Sequence, residues 1–335
     1  MTKKGLLEEL RTVAESVNAF IEAHVGLPGE PEVLRESSLH AFKSGGKRWR
    51  PFVVLKACEL LGGDPRRAPP VAAAVEILHN FTLIHDDIMD RDEFRRGLPT
   101  VHVLWGIPQA ILTGDKLFAK VFKVLTDAGK ASAIPSETIL KIVDSLAQAA
   151  LDICIGQTMD MLFGGRFEVS EEEYLSMIRG KTAALAKASA EVGALVGGGS
   201  SSEVQCLAKF GEEAGMAFQI VDDILGLTAN EKELGKPVGS DIREGKKTLI
   251  IIHAFSKASP LQKARITRIL GNRRATTEEI RQIIEELRAL GSIEYAYRRS
   301  IEYSERAKGY LKSFPDKPAK DFLMELTDFF VKRNY

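Results

Sequence analysis

The chain has no surplus charge: 46 Lys and Arg balance 46 Asp and Glu over 335 residues, for a formal net charge of zero. Bulk electrostatics therefore give no ground for nucleic-acid or anionic-membrane binding. Cysteine is scarce, and Cys58, Cys154 and Cys206 are odd in number and far apart, without ligand-like neighbours, which argues against a disulfide framework or a zinc site. A reducing, cytoplasmic setting is expected. No apolar run approaches the length of a membrane span, and the N-terminal MTKKGLLEELRTVAESV interrupts its apolar residues with acids, unlike a signal peptide. Pro/Gly/Ser linkers, low-complexity tracts and fixed-period repeats are missing too, so a single domain over 1–335 is expected. With 44% apolar and 27% charged residues, the chain is neither disordered nor fibrous.

Apolar residues recur at helical spacing, as in Ile280, Ile283, Ile284 and Leu287. Thr276 with Glu279 reads as a capping box closed by Gly291, and Ser170 with Glu173 as another closed by Gly180. Pro31, Pro70, Pro108, Pro135 and Pro318 stand where helices begin. The run 248–252 (TLIII) suits a strand by composition, but a lone strand has no pairing partner, so helix is expected there. The pattern predicts an all-α bundle of long helices with no sheet.

One octet nearly repeats: LIHDDIMD at 83–90 and QIVDDILG at 219–226. In a helix, Asp86 and Asp90 lie one turn apart on a shared face, and Asp87 points partly round it. A single such pair could be a solvated acidic face. Two pairs, each led into by apolar residues, point to a bound cation that relieves their repulsion. Oxygen-only ligands select Mg²⁺, with Mn²⁺ as the natural substitute, and Mg²⁺ commonly bridges carboxylates to substrate phosphates. Complementary bases occur at Lys47 and Arg50 in GGKRWRP, at Arg95 and Arg96 before Gly97, and at Lys181, Lys236 and Lys246. Taken singly, each could be an ordinary exposed base.

In combination these residues resemble the trans-type short-chain prenyl diphosphate synthases, most closely the archaeal-type geranylgeranyl and farnesyl diphosphate synthases. The resemblance covers roughly 40–250 and follows the family's order: GGKRWRP (45–51), EILHNFTLIHDDIMD (76–90), RRG (95–97), GQTMD (156–160), GKT (180–182), FQIVDD (218–223) and GKPVGSDIREGKKT (235–248). It implies the isoprenoid synthase fold, a helical bundle around a central cavity, and a homodimer. It also implies head-to-tail condensation of isopentenyl diphosphate with dimethylallyl, geranyl or farnesyl diphosphate, giving geranylgeranyl or farnesyl diphosphate or both.

By the same resemblance, Asp86 and Asp90 bind two Mg²⁺ and Asp222 a third. Arg95, Lys181 and Lys246 bind the allylic diphosphate, Gln219 and Thr182 line that site, and Lys236 joins the substrate-binding set. Lys47, Arg50, His79 and Arg96 match the isopentenyl diphosphate site, while His85 has a supporting role or none. Gly226 replaces the third aspartate of the second motif, which leaves the third ion to Asp222, waters and Asp223 or Asp241. Phe81 and Thr82, five and four positions before Asp86, match the large-then-small chain-length pattern of geranylgeranyl-making relatives. Three alternatives remain: a class I terpene cyclase, which has no use for an isopentenyl site; a non-catalytic partner subunit, expected to have lost the aspartates or the basic loop; and an HD-type phosphohydrolase built on His85-Asp86, which needs more histidines than this chain places nearby.

Overall fold

The computed structural model describes residues 3–131, 134–166, 168–228 and 239–332. They form two compact units: unit 1 comprises 1–150, 185–211 and 310–326, and unit 2 comprises 151–184, 212–309 and 327–335.

In unit 1, α1 (Lys3–Val25) buries Leu6, Leu10, Val13, Val17, Ile21 and Val25, one apolar residue every turn. The helices α2 (Glu32–Lys43), α3 (Trp49–Leu60) and α4 (Ala68–Asp90) follow. From Val71 to Leu78 every residue of α4 is buried, including the polar Glu76, so α4 is a central helix rather than an amphipathic one. Its Ala72-Ala73-Ala74 run keeps neighbouring helices close. A two-residue hairpin, β1 (Phe94–Arg95) with β2 (Leu98–Pro99), leads into α5 (Val101–Trp105) and α6 (Ile107–Ala131). α6 packs on α4 through Ala110, Thr113, Gly114, Leu117, Val121 and Leu125. The sequence predicted no sheet. The hairpin arises because Arg96 (φ 51°) and Gly97 (φ 80°) both take the left-handed conformation that a tight two-residue turn requires.

Beyond α7 (Ser136–Gly164), α8 (Glu171–Ile178) starts on the predicted Ser170/Glu173 capping box. Gly180 does not end that helix. It lies in a π-helical turn (Arg179–Ala183) that continues into α9 (Ala184–Val196). A Cβ on Gly180 would stand 2.7 Å from the Asp152 carbonyl, and one on Gly156 would stand 2.2 Å from the Lys181 backbone nitrogen. These glycines let α7 and the π-turn pass backbone to backbone, which local sequence does not reveal.

The remaining helices are α10 (Ser201–Thr228), α11 (Ser240–Glu244), α12 (Leu249–Lys257), α13 (Pro260–Ile269), α14 (Thr277–Ala289), α15 (Ser292–Leu311) and α16 (Pro318–Val331). The 248–252 run opens α12 as a helix, and α14 has its capping box on Thr276 and Glu279, with Gly291 (φ 68°) just beyond its end. The predicted stripe Ile280, Ile283, Ile284 and Leu287 is buried in the unit 2 core with Tyr174, Met216, Ile220, Ile224, Ile250 and Ile266. Among the described residues no helix is long and apolar enough to cross a membrane.

Candidate active site

Both aspartate motifs sit at the C-terminal ends of long helices, α4 and α10, where the helix dipole is negative. Carboxylates there are disfavoured by their helix as well as by each other, so both ends attract cations. In unit 1, Asp86 and Asp90 are half-buried one turn apart, whereas Asp87 turns inward and is buried. Burial pushes the Asp87 carboxyl up despite the adjacent Arg95. Arg95 donates from Nε to Asp87 Oδ1 at 2.6 Å, and its Nη2 lies 2.5 Å from that oxygen, 3.6 Å from Asp92 and 3.8 Å from Asp86. The hairpin turn thus places Arg95 against the first motif.

The same turn sends Arg96 the other way, where its Nη1 donates to the Gly45 carbonyl at 2.5 Å. The basic loop and the hairpin are thereby tied together. Arg50 Nη1 donates to His79 Nε2 at 3.2 Å and its guanidinium lies 4.4 Å from the Trp49 ring centre. His79 is held well below the usual histidine range, first by burial and then by Arg50, Arg96, Arg95 and Arg48, so it is neutral and can accept that hydrogen bond. Lys47, on the exposed side of the loop, completes the basic group assigned to isopentenyl diphosphate.

Two turns of α4 connect this basic group to the aspartates, and Phe81 lies along them. Its ring meets the His85 ring at 4.9 Å and the Phe118 ring of α6 at 5.0 Å, and Phe122 extends the row. Thr82 uses its hydroxyl on the His79 carbonyl. His85 Nε2 lies 3.3 Å from the Ile111 carbonyl and packs so closely on Gly114 that a Cβ there would stand 2.2 Å away, so its role is packing between α4 and α6.

In unit 2, Lys181, which lies in the π-turn, donates from Nζ to Asp160 at 2.7 Å. Thr182 donates to Gln219 Oε1 at 2.7 Å, Gln219 Nε2 donates to Asp223 Oδ1 at 2.8 Å, and the Tyr174 hydroxyl donates to Asp223 Oδ2 at 2.7 Å. Burial first, then Asp241, push the Asp223 carboxyl up to about 7. Asp222, its neighbour, is exposed. Gly226 creates room: a Cβ there would stand 2.8 Å from Asp241 Oδ2, so the carboxylate of α11 fills the space beside the residue that lacks one. Lys246 Nζ lies 3.0 Å from Glu244 and 3.6 Å from Asp241. Lys236 lies outside the described residues.

Sequence reasoning assigned no role to Arg48, Asp160 or Tyr174, although the first two lie inside motifs it picked out. Their signal is chemical complementarity with residues far away in the chain, Glu76, Lys181 and Asp223.

The donors fit a hard divalent cation: all are carboxylate oxygens, and they are gathered at negative helix ends. Among the described residues no three His, Cys, Asp or Glu side chains form a ready-made metal cage, so an ion held here would draw its other ligands from water and phosphate.

The polyprenyl synthetase family model matches residues 31–287. The chain belongs to that family. It is a prenyltransferase of the chain-elongating kind, and the cyclase and silent-subunit readings are not favoured. As a polyprenyl synthetase it is 45% identical over 324 residues to the geranylgeranyl diphosphate synthase of Sulfolobus acidocaldarius, covering 96% of each chain. The crystal structure of geranylgeranyl pyrophosphate synthetase from Pyrococcus horikoshii superposes with a TM-score of 0.92 at 41% identity over 99% of both chains. A polyprenyl synthase from Caulobacter crescentus, complexed with calcium and isoprenyl diphosphate, matches with a TM-score of 0.89 at 32% identity over 98% of both chains. The chain thus shares the all-α isoprenoid synthase fold with these solved synthases.

Proposed function

We propose that this protein condenses isopentenyl diphosphate with an allylic diphosphate, dependent on Mg²⁺, and releases geranylgeranyl diphosphate as its main product, with farnesyl diphosphate as the shorter one. The observation that carries the reading is Arg95 packed against Asp87 and within 4 Å of Asp86, a base and acids together at the negative end of one helix. Relatives named for geranylgeranyl synthesis and the large Phe81 support the product length.

Asp86 and Asp90 would hold two Mg²⁺ and Asp222 a third, with Asp241 nearby in place of the aspartate missing at 226. Bound ions supply Lewis acidity that neutralises the departing diphosphate. Arg95, Lys181 and Lys246 donate directly to that diphosphate, with Lys236 in the same set. Each of the first three is paired with carboxylate in the described structure, so substrate competes for a cation already fixed in place. Preorganised donors of this kind act where charge develops during ionisation.

Thr182 and Gln219 hold Asp223 inward, leaving Asp222 as the exposed member of the pair. Lys47, Arg50, His79 and Arg96 bind the second diphosphate and orient its double bond for attack on the allylic cation. The Phe81, Phe118 and Phe122 row offers the growing tail an apolar wall without a nucleophile. The lost proton goes to the released diphosphate, so no side-chain base is required.

We read the whole chain as one synthase domain working in the cytoplasm as a homodimer. The exposed Ile107, Ile111 and Leu112 of α6 support self-association. Incubation with Mg²⁺, labelled isopentenyl diphosphate and each of the three allylic starters tests the reading. A C20 product supports it, and absence of any elongated product refutes it.

A further inference from the structure

Between Lys47 and Arg50, the two loop bases assigned to substrate, stands a third that faces away from solvent. Arg48 is 3% exposed, in the left-handed conformation (φ 46°) that side chains seldom adopt. Its guanidinium reaches four acceptors on four segments: Asn18 Oδ1 of α1 at 2.9 Å, the Phe42 carbonyl of α2 at 2.9 Å, the Gly45 carbonyl of the loop at 2.9 Å and Glu76 Oε1 of α4 at 2.8 Å. Asn80 donates to the same Glu76 oxygen at 3.0 Å.

Every residue assigned to the isopentenyl site is one step from this network. Lys47 is adjacent to Arg48 in the chain and Arg50 is two positions on. His79 lies between Glu76 and Asn80 on α4, and Arg96 shares the Gly45 carbonyl with Arg48. A buried ion pair is poor value for stability, because well-packed apolar residues of similar volume often serve as well or better. A planar donor with several fixed directions is instead suited to holding a loop in one geometry.

We propose that Arg48 is a positioning residue: its buried guanidinium fixes residues 45–50 against α4, setting Lys47, Arg50, His79 and Arg96 in register for isopentenyl diphosphate. It does not touch substrate. The proposal rests on the reading of those four residues as the isopentenyl diphosphate site, and it predicts a defect selective for that substrate.

The test compares Arg48→Lys with the double variant R48M/E76M, which removes both buried charges and leaves neither unpaired. In Arg48→Lys, KM for isopentenyl diphosphate is expected to rise about tenfold or more, as for a binding group displaced by about an ångström, while KM for the allylic substrate changes by less than about twofold. R48M/E76M is expected to fold, with a melting temperature near that of the wild type, and still to show the raised KM. A double variant with wild-type KM for isopentenyl diphosphate would mean that the network only stabilises the fold, and the proposal would be overturned. Equal rises in both KM values in Arg48→Lys would overturn it too.

If the wild type elongates no starter, the functional reading fails by itself. Calorimetric binding of inorganic diphosphate in metal-free buffer then decides the positioning claim: weaker binding by R48M/E76M supports it, and equal binding overturns it.

Discussion

Arg95 joins two adjacent aspartates unequally: its Nη2 is 2.5 Å from the buried Asp87 and 3.8 Å from the half-exposed Asp86. Asp87 thus takes the close contact with the arginine and Asp86 the distant one, and on the proposed reading it is Asp86 that meets a cation. Asp86→Ala is expected to abolish turnover with little change in melting temperature. Asp87→Asn weakens a largely buried ion pair and is expected to cost on the order of 1–3 kcal/mol of stability, because Arg95 loses its main partner. Thermal melts and initial rates on both variants check this. Comparable losses of both properties in both variants would make the motif a structural acidic cluster.

Two aromatic rings, one on α4 and one on α6, stand together along the proposed path of the growing tail. Phe81 alone was legible as a wall, being five positions before Asp86, but its ring rests on Phe118 of α6 at 5.0 Å. Phe81→Ala and Phe118→Ala are each expected to lengthen the product, and because the rings touch, the double variant should fall short of the summed effect. Chromatography of dephosphorylated products measures chain length. An unchanged distribution in both single variants would remove these rings from the tail's path.

Gly226 and Asp241 make a paired prediction. In Gly226→Ala the new Cβ must displace the Asp241 carboxylate, while the helix gains up to about 1 kcal/mol in propensity. The variant is expected to melt no lower than wild type and yet to need more Mg²⁺ for half-maximal activity, and Asp241→Asn to shift the requirement the same way. A normal Mg²⁺ titration for Asp241→Asn would show that Asp241 has no share in holding the ion.

Helix ends and the spacing of the first acidic motif are legible in the sequence for a physical reason: caps and helix-spaced acids depend on neighbours within four positions. The Ser170/Glu173 and Thr276/Glu279 boxes and the Asp86/Asp90 spacing are of that kind. By sequence alone Gly180 marks a stop, because glycine usually ends helices. Its task here is to let the π-turn pass α7 at Asp152 and Gly156, which depends on residues more than twenty positions away. Arg48 and Asp160 lie within motifs that sequence reasoning recognised, but only the fold shows that one is buried on Glu76 and the other holds Lys181. The Arg96-Gly97 turn is hidden from sequence, because arginine is not a residue that announces a left-handed turn position and the two-residue strands are too short to show alternation.

His79 carries the last prediction. Burial and four arginines hold its pKa well below the usual value, whereas in the unfolded chain it titrates near about 6.5. As pH falls below that value the unfolded state takes up a proton that the folded state refuses. The folded state therefore loses stability on acidification through this residue, and the contribution is intact above neutral pH. His79→Gln has no such titration, so between pH 7.5 and 5.5 its melting temperature should fall less than that of the wild type. Because the imidazole is neutral throughout its working range and accepts from Arg50, KM for isopentenyl diphosphate should show no histidine-like step between pH 6 and 8. His79→Gln, which keeps an acceptor, should retain more affinity than His79→Phe, which offers Arg50 none at that position. A wild-type KM that changes through a pKa near about 6.5, with the step absent in His79→Gln, would show instead that the residue binds substrate as a cation.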